Sequence, residues 1–180
     1  AVLRDAYRVS KSDANILLTG ESGAGKEVVA TFIHRNSSRS KNPMTAVNCA
    51  SIPAGLLSSE LFGHEKGSFT GAVSRRYGRF READGGTLFL DEVGDMPVEL
   101  QPTILRAIET GTVIPLGSDR EIKTDFRLIA ATNQNLQSLM ESGRFRQDLY
   151  YRLNVIAIEI PPLRDRREDI LPLARFFLAR

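Results

Sequence analysis

Apolar residues in this chain fall into short unbroken runs separated by longer amphipathic stretches. Asn15–Thr19, Met44–Asn48, Thr87–Asp91, Arg127–Thr132 and Val155–Ile160 read as buried strands. Between them lie helical patterns over Glu27–Arg35, Ala54–Phe62, Pro97–Glu109 and Leu136–Glu141, and a further helix, Arg146–Leu153, leads into the last strand. Strand and helix in alternation predict an α/β fold with a parallel sheet flanked by helices. Pro161-Pro162 ends the last strand, because neither residue donates to a ladder. Asp165–Arg180 then reads as a new helix, with Arg166, Arg167, Glu168 and Asp169 in its first turn. Two polar, glycine-bearing segments interrupt the alternation, Gly63–Gly78 and Gly111–Asp125, the second read as a hairpin. Insertions of this length in a compact α/β domain are functional or disordered.

The junction between the first strand and the first helix carries the strongest chemistry. Gly20-Glu21-Ser22-Gly23-Ala24-Gly25-Lys26 stands between Ile16-Leu17-Leu18 and Val28–Ile33. A G-x-x-x-x-G-K segment in a strand–loop–helix context reads as a P-loop. Its glycines let successive N–H groups turn inward onto phosphate oxygens, and the helix adds its positive end. Lys26 is placed to reach the β- and γ-phosphates as a point charge. The next residue is Glu27, where a P-loop usually offers a Mg²⁺-binding hydroxyl.

A second apolar strand, Thr87–Leu90, ends in Asp91-Glu92. Ligands of open parallel sheets bind at the carboxyl ends of strands, where the P-loop also opens. Asp91 is the candidate Mg²⁺ ligand and Glu92 the candidate general base for an attacking water. Asp91-Glu92-Val93-Gly94 also fits the D-x-x-G pattern of GTPases, but no N-K-x-D segment accompanies it. Asn133, after the strand Arg127–Thr132, either touches the γ-phosphate and its water or starts the next turn. Asn48, ending the second strand, is ambiguous in the same way; its amide is placed to bond Glu92 and hold it from the water.

Composition changes little of this picture. The chain has 180 residues, 42% hydrophobic and 26% charged, enough for one domain with a sizeable core. A formal net charge of +2 does not argue for wholesale nucleic-acid binding. The single cysteine, Cys49, excludes an intrachain disulfide, reads as buried and fits a reducing compartment. No run approaches membrane-spanning length, and no signal peptide is visible. The chain opens at Ala1 without an initiator Met and stops inside a helical pattern, which suggests a domain excised from a longer protein.

The order of motifs resembles the AAA+ ATPase domain of sigma-54-dependent transcriptional activators, the bacterial enhancer-binding proteins. After the P-loop come Glu60-Leu61-Phe62-Gly63-His64-Glu65-Lys66, then Gly67-Ser68-Phe69-Thr70-Gly71-Ala72, then Gly85–Glu92. The hallmark of that family is a G-A-F-T-G-A loop, here with Ser68 in second place. Phe145–Leu153 and Pro161-Pro162-Leu163-Arg164 extend the resemblance over essentially the whole chain.

The resemblance implies a P-loop NTPase AAA+ fold with five parallel strands, an ATPase core at 1–163 and the start of a truncated helical lid at 164–180. It implies ATP and Mg²⁺ as cofactors, and Glu27 becomes the expected residue after the lysine. It implies a ring, a hexamer, with ATP between subunits. Arg146 and Arg152 match arginines that enter a neighbour's site, a role typically worth about 10³–10⁵ in rate; as plain residues they read equally as surface ion pairs. The loop Gly67–Ala72 is expected to contact sigma-54 and remodel the RNA polymerase holoenzyme for promoter opening. From composition alone, Phe69 suits an exposed tip or a ring folded into the core. Gly111–Asp125 resembles the loop that supports the first, with Pro115 where relatives often carry arginine. Enhancer DNA is expected to be contacted through a domain absent from this chain, and the setting to be cytoplasmic.

Overall fold

The computed structural model of the chain describes residues 2–178. In chain order the elements are α1 Val2–Ser10, β1 Ile16–Thr19, α2 Lys26–Arg35, β2 Met44–Asn48, α3 Ala54–Phe62, β3 Gly63–His64, β4 Arg76–Tyr77, α4 Arg79–Glu82 and β5 Thr87–Asp91. There follow α5 Gln101–Thr110, β6 Thr112–Val113, β7 Ile122–Lys123, β8 Arg127–Thr132, α6 Leu136–Glu141, α7 Gln147–Leu153, β9 Ile156–Glu159 and α8 Ile170–Leu178.

Five strands form one parallel sheet in the order β2-β5-β8-β1-β9. Alternate residues of each strand feed opposite layers, which is why the apolar runs are continuous. Leu17, Leu88, Leu90, Leu128 and Ala130 pack on one face with Leu57, Ile104, Leu149 and Leu153. Ile16, Leu18, Phe89, Ile129 and Ala131 pack on the other with Ala6, Ala30 and Ile33 of α1 and α2. β1, β5 and β8 deliver their carboxyl ends to the same rim of the sheet, and the phosphate-binding candidates collect there.

The predicted strands are all present, the first starting one residue later, at Ile16, and the last one residue shorter at each end. Two helices differ. Pro97 to Leu100 form a turn closed by the Leu100 N–H donating to the Pro97 carbonyl (3.0 Å), so α5 starts at Gln101, with Pro102 in its first turn. The helix expected from Asp165 starts only at Ile170. Before it run two 3₁₀ turns, Leu163–Asp165 and Arg167–Asp169, and its last two residues lie outside the described ones.

The pattern did not reveal α1. Its inward face is Val2, Ala6, Val9 and Ser10, a helical spacing that the strand-centred reading passed over; Ala6 and Ser10 are buried, and Val2 and Val9 pack partly buried beside Ala6. What holds its carboxyl end is Arg127, 1% exposed at the start of β8. Arg127 Nη1 donates to the Ser10 carbonyl (3.1 Å) and Nη2 to the Val9 carbonyl (2.7 Å). Burial pulls the arginine pKa below its usual value, against a raising effect from Asp13. A cation at the negative end of a helix is favourably placed.

The two insertions pack on each other. β3 and β4 pair antiparallel at the base of the first; β6 and β7 make the second a hairpin. The Leu116 N–H donates to the Gly63 carbonyl (2.9 Å), and the Glu65 N–H donates back to Leu116 (3.0 Å). Gly117, at φ +74°, lies so close to Ser68 that a Cβ there would stand 2.6 Å from the serine Cβ. No helix among the described residues is long and apolar enough to cross a membrane.

Candidate nucleotide site

β1 ends where the glycine loop begins. A Cβ on Gly20 would sit 2.7 Å from the Ile160 carbonyl, so the loop leaves the sheet only through glycine. Gly20→Ala is expected to destabilise the domain by about 1–3 kcal/mol, read as a lower urea midpoint at unchanged slope. Gly23 (φ +75°) and Gly25 (φ +94°) take left-handed conformations that turn the loop into α2. No side chain caps α2, which leaves the first-turn amides open to an anion. Glu21, Ser22 and Glu27 point to the exterior, whereas Ala24 is buried.

Lys26 is the first residue of α2 and only 6% exposed. Its Nζ donates to the carbonyls of Gly20 (3.1 Å) and Glu21 (3.3 Å) and lies 3.4 Å from Glu92 Oε1. Glu92 has φ +52°, the only positive φ outside glycine among the described residues. That left-handed turn directs its carboxylate to Lys26 and away from the strand axis. Strain of this kind, of order 1–3 kcal/mol, persists where surroundings over-determine it. Here the surroundings are Lys26 on one oxygen and the Asn133 N–H on the other (3.1 Å).

Asp91 lies beside them. Its Oδ1 accepts from the Glu92 N–H (3.0 Å) and its Oδ2 from Asn48 Nδ2 (3.4 Å). Burial raises the Asp91 pKa, and the Glu92 charge adds to it. Asn48 therefore does not bond Glu92, contrary to the sequence expectation. Asn48 and Asp91 are register partners on adjacent parallel strands, so the amide meets the aspartate, while Glu92 has already turned away. The Asn48 Oδ1 is occupied by the N–H groups of Ala50 and Ser51, both at 3.0 Å. Cys49 is buried next to this cluster. Burial first, then the Asp91 charge, pushes its thiol up to about 12, which keeps it protonated and inert.

Arg146 and Arg152 stand apart from the in-chain cluster. Arg146 precedes α7 and grips Asp148 with Nε (3.0 Å) and Nη2 (2.7 Å) on the surface. This contact pulls the Asp148 carboxyl below its usual pKa. Arg152 donates to the Ile108 carbonyl (3.3 Å). The residue that positions Arg146 was missed from sequence. Gln101, fully buried, accepts the Arg146 N–H (2.8 Å) and donates to the carbonyls of Met96 (3.1 Å) and Arg144 (3.0 Å). A polar residue on the apolar stripe with Ile104 was the available signal.

In the first insertion, the Gly67 N–H donates to the Ala72 carbonyl (2.8 Å) and the Ala72 N–H to Phe69 (3.0 Å), closing a tight loop. Phe69 is 37% exposed, with its ring edge-on to His64 at 5.1 Å. It is neither a free tip nor a core residue. His64 is held in turn by Ser59 Oγ at 2.7 Å. Thr70 and Gly71 are exposed, and Ala72 is buried.

The sequence profile of the sigma-54 interaction domain matches residues 1–159. The transcriptional regulatory protein ZraR of Klebsiella oxytoca is 57% identical over 180 residues, all of this chain and 41% of that protein. The DNA-binding transcriptional regulator NtrC of Escherichia coli K12 is 55% identical over 177 residues, 98% of this chain and 38% of that protein. The chain thus spans about two fifths of the relatives it matches. A crystal structure of NtrX from Brucella abortus in complex with ATP superposes with a TM-score of 0.89 at 43% identity, covering 98% of this chain and 40% of that one. Sheet, glycine loop and acidic strand end agree with this match over nearly the full length, and the chain belongs to the sigma-54 interaction domain family, of the kind found in NtrC and ZraR.

Proposed function

We propose that this domain hydrolyses ATP in a ring of subunits and uses the resulting motion of its Gly67–Ala72 loop to remodel sigma-54 RNA polymerase holoenzyme. One observation carries the catalytic part. The Glu92 carboxylate, held by the Asn133 N–H, faces the ammonium of Lys26 at 3.4 Å, at the mouth of an uncapped helix. The lysine, the open amides of α2 and the Gly20–Glu27 loop bind the phosphates. Nucleotide-bound relatives of the same fold support this use of the loop.

Glu92 takes the proton of a water as that water attacks the γ-phosphorus, and the bond to the β-phosphate oxygen breaks to leave ADP. Glu92 rests on Lys26. A γ-phosphate on the lysine displaces it towards the water, and the Asn133 side chain, at the same strand end, reads that phosphate. Asn48 orients Asp91. Among the described residues no three His, Cys, Asp or Glu side chains form a cluster able to hold a metal. Asp91 would hold a Mg²⁺, and the ion would supply charge neutralisation on the phosphates. Arg146 and Arg152, solvent-facing and outside the site of their own chain, act on the nucleotide of the adjoining subunit. Residues 164–180 begin the lid over the site. Promoter opening in the cytoplasm then follows from Phe69 and Thr70 meeting sigma-54, while enhancer DNA is held by a part of the protein outside this chain.

Thr70→Ala separates the two halves. Thr70 is exposed and lies in the insertion between β3 and β4, not at the strand ends that carry Lys26 and Glu92, so ATP turnover is expected within about twofold of wild type. Open-complex formation at a sigma-54 promoter, read by permanganate footprinting, is expected to be lost. Retained promoter opening by this variant removes the loop from the mechanism; absence of phosphate release by the wild-type ring removes the ATPase.

A further inference from the structure

The segment after β9 grips the phosphate-binding loop at two points. Arg164 Nη1 donates to Glu21 Oε2 (2.8 Å) and Nη2 to Glu21 Oε1 (2.6 Å), a forked pair. Two residues on, Arg166 Nη2 donates to the Ala24 carbonyl (2.5 Å), with its Nε buried. Glu21 and Ala24 are the two ends of the turn that the Ala24 N–H closes onto the Glu21 carbonyl (3.1 Å). Both shoulders of the glycine loop are therefore tied to one strap.

The strap is itself stiff. Pro161-Pro162 fixes two φ angles. N–H groups of Asp165, Arg166 and Asp169 donate to the carbonyls of Pro162, Leu163 and Arg166 at 3.0, 3.2 and 3.0 Å. Its root lies against Gly20 through the Ile160 carbonyl. A helix from Asp165 was the local preference; the structure has 3₁₀ turns instead, with both guanidinium groups on the loop.

We propose that Pro161–Asp169 is a strap that orders the P-loop ahead of nucleotide binding, with Arg164 and Arg166 as positioning residues acting through Glu21 and Ala24. This rests on the nucleotide-binding role of the loop proposed above. A loop with glycines in the left-handed region loses much conformational freedom when phosphates order it, and that loss weakens binding. A strap that orders the loop beforehand removes part of the loss. It also couples the loop mechanically to α8, which starts one residue beyond it.

The ion pair is exposed on both sides, so the effect is moderate. The probe is ADP, by calorimetry on the intact chain. Arg164→Gln is expected to weaken ADP binding about 3–5-fold and Arg164→Glu about 10-fold. The reciprocal pair Glu21→Arg with Arg164→Glu is expected to recover binding to within about threefold of wild type. The deficit of Arg164→Gln shrinks at high salt, where the wild-type pair is screened. Wild-type affinity in Arg164→Glu, or an exchanged pair as weak as the single variant, overturns the strap. If Arg164→Glu does not fold, Arg164→Gln decides: a deficit that salt removes supports the strap, and wild-type affinity at low salt overturns it. A wild-type chain that takes up no ADP overturns the nucleotide reading itself and the strap with it.

Discussion

Glu92→Gln is expected to lower ATP turnover about 10²–10⁴-fold while nucleotide stays bound. The substitution preserves shape. A glutamine oxygen still accepts the Asn133 N–H, and the left-handed turn at φ +52° is no harder for Gln than for Glu. What disappears is a carboxylate able to take a proton. The attraction to Lys26 at 3.4 Å disappears with it, so the lysine loses a competitor for phosphate. ATP affinity is therefore expected to hold or rise, which distinguishes loss of a base from loss of a fold. Phosphate release and fluorescent-nucleotide binding, measured on the same preparation, read the two quantities. Turnover within about threefold of wild type would assign the base to another residue.

The second large effect lies far from any phosphate. Arg127→Ala is expected to destabilise the domain by about 2–4 kcal/mol. It empties the volume of a large, fully buried side chain and strips the donor from the Ser10 carbonyl. The Val9 carbonyl keeps the Ser12 N–H (3.2 Å), so only one acceptor is fully orphaned. Removing a buried cation also relieves its desolvation, which keeps the loss below the sum of its parts. Arg127→Met, which refills most of the volume, is expected to lie between Ala and wild type. Urea unfolding gives the magnitude, and amide exchange in α1 gives the place: protection there falls first. A midpoint shift equivalent to less than about 0.5 kcal/mol would show that α1 is held by other means.

Sequence legibility followed burial. β5 and β8 were readable because nearly every side chain in them is enclosed, so neither face introduces a polar beat. The glycine loop was readable because its chemistry depends on backbone, and glycine spacing records backbone directly. α1 was passed over although Val2, Ala6, Val9 and Ser10 recur at helical spacing, because its stripe is short and precedes the first strand, where no alternation of elements calls for a helix. The strap was misread as helix because Arg166-Arg167-Glu168-Asp169 has good helix-start chemistry, and long-range pairing with Glu21 and Ala24 overrode it. Asn48 was assigned the wrong acid because sequence shows which residues end strands but not which way the chain turns after Asp91.

Local chain order was enough to specify a parallel α/β domain, a phosphate-binding turn and an acidic strand end facing it, since periodicity and glycine placement are properties of neighbouring residues. Only the packed molecule chose the partner of each charged group: Glu92 on Lys26, Asn48 on Asp91, Arg164 on Glu21, Arg127 on the end of α1. Those choices join residues up to 143 positions apart. They depend on strand register, on one left-handed turn and on burial, none of which is written in any short stretch of residues.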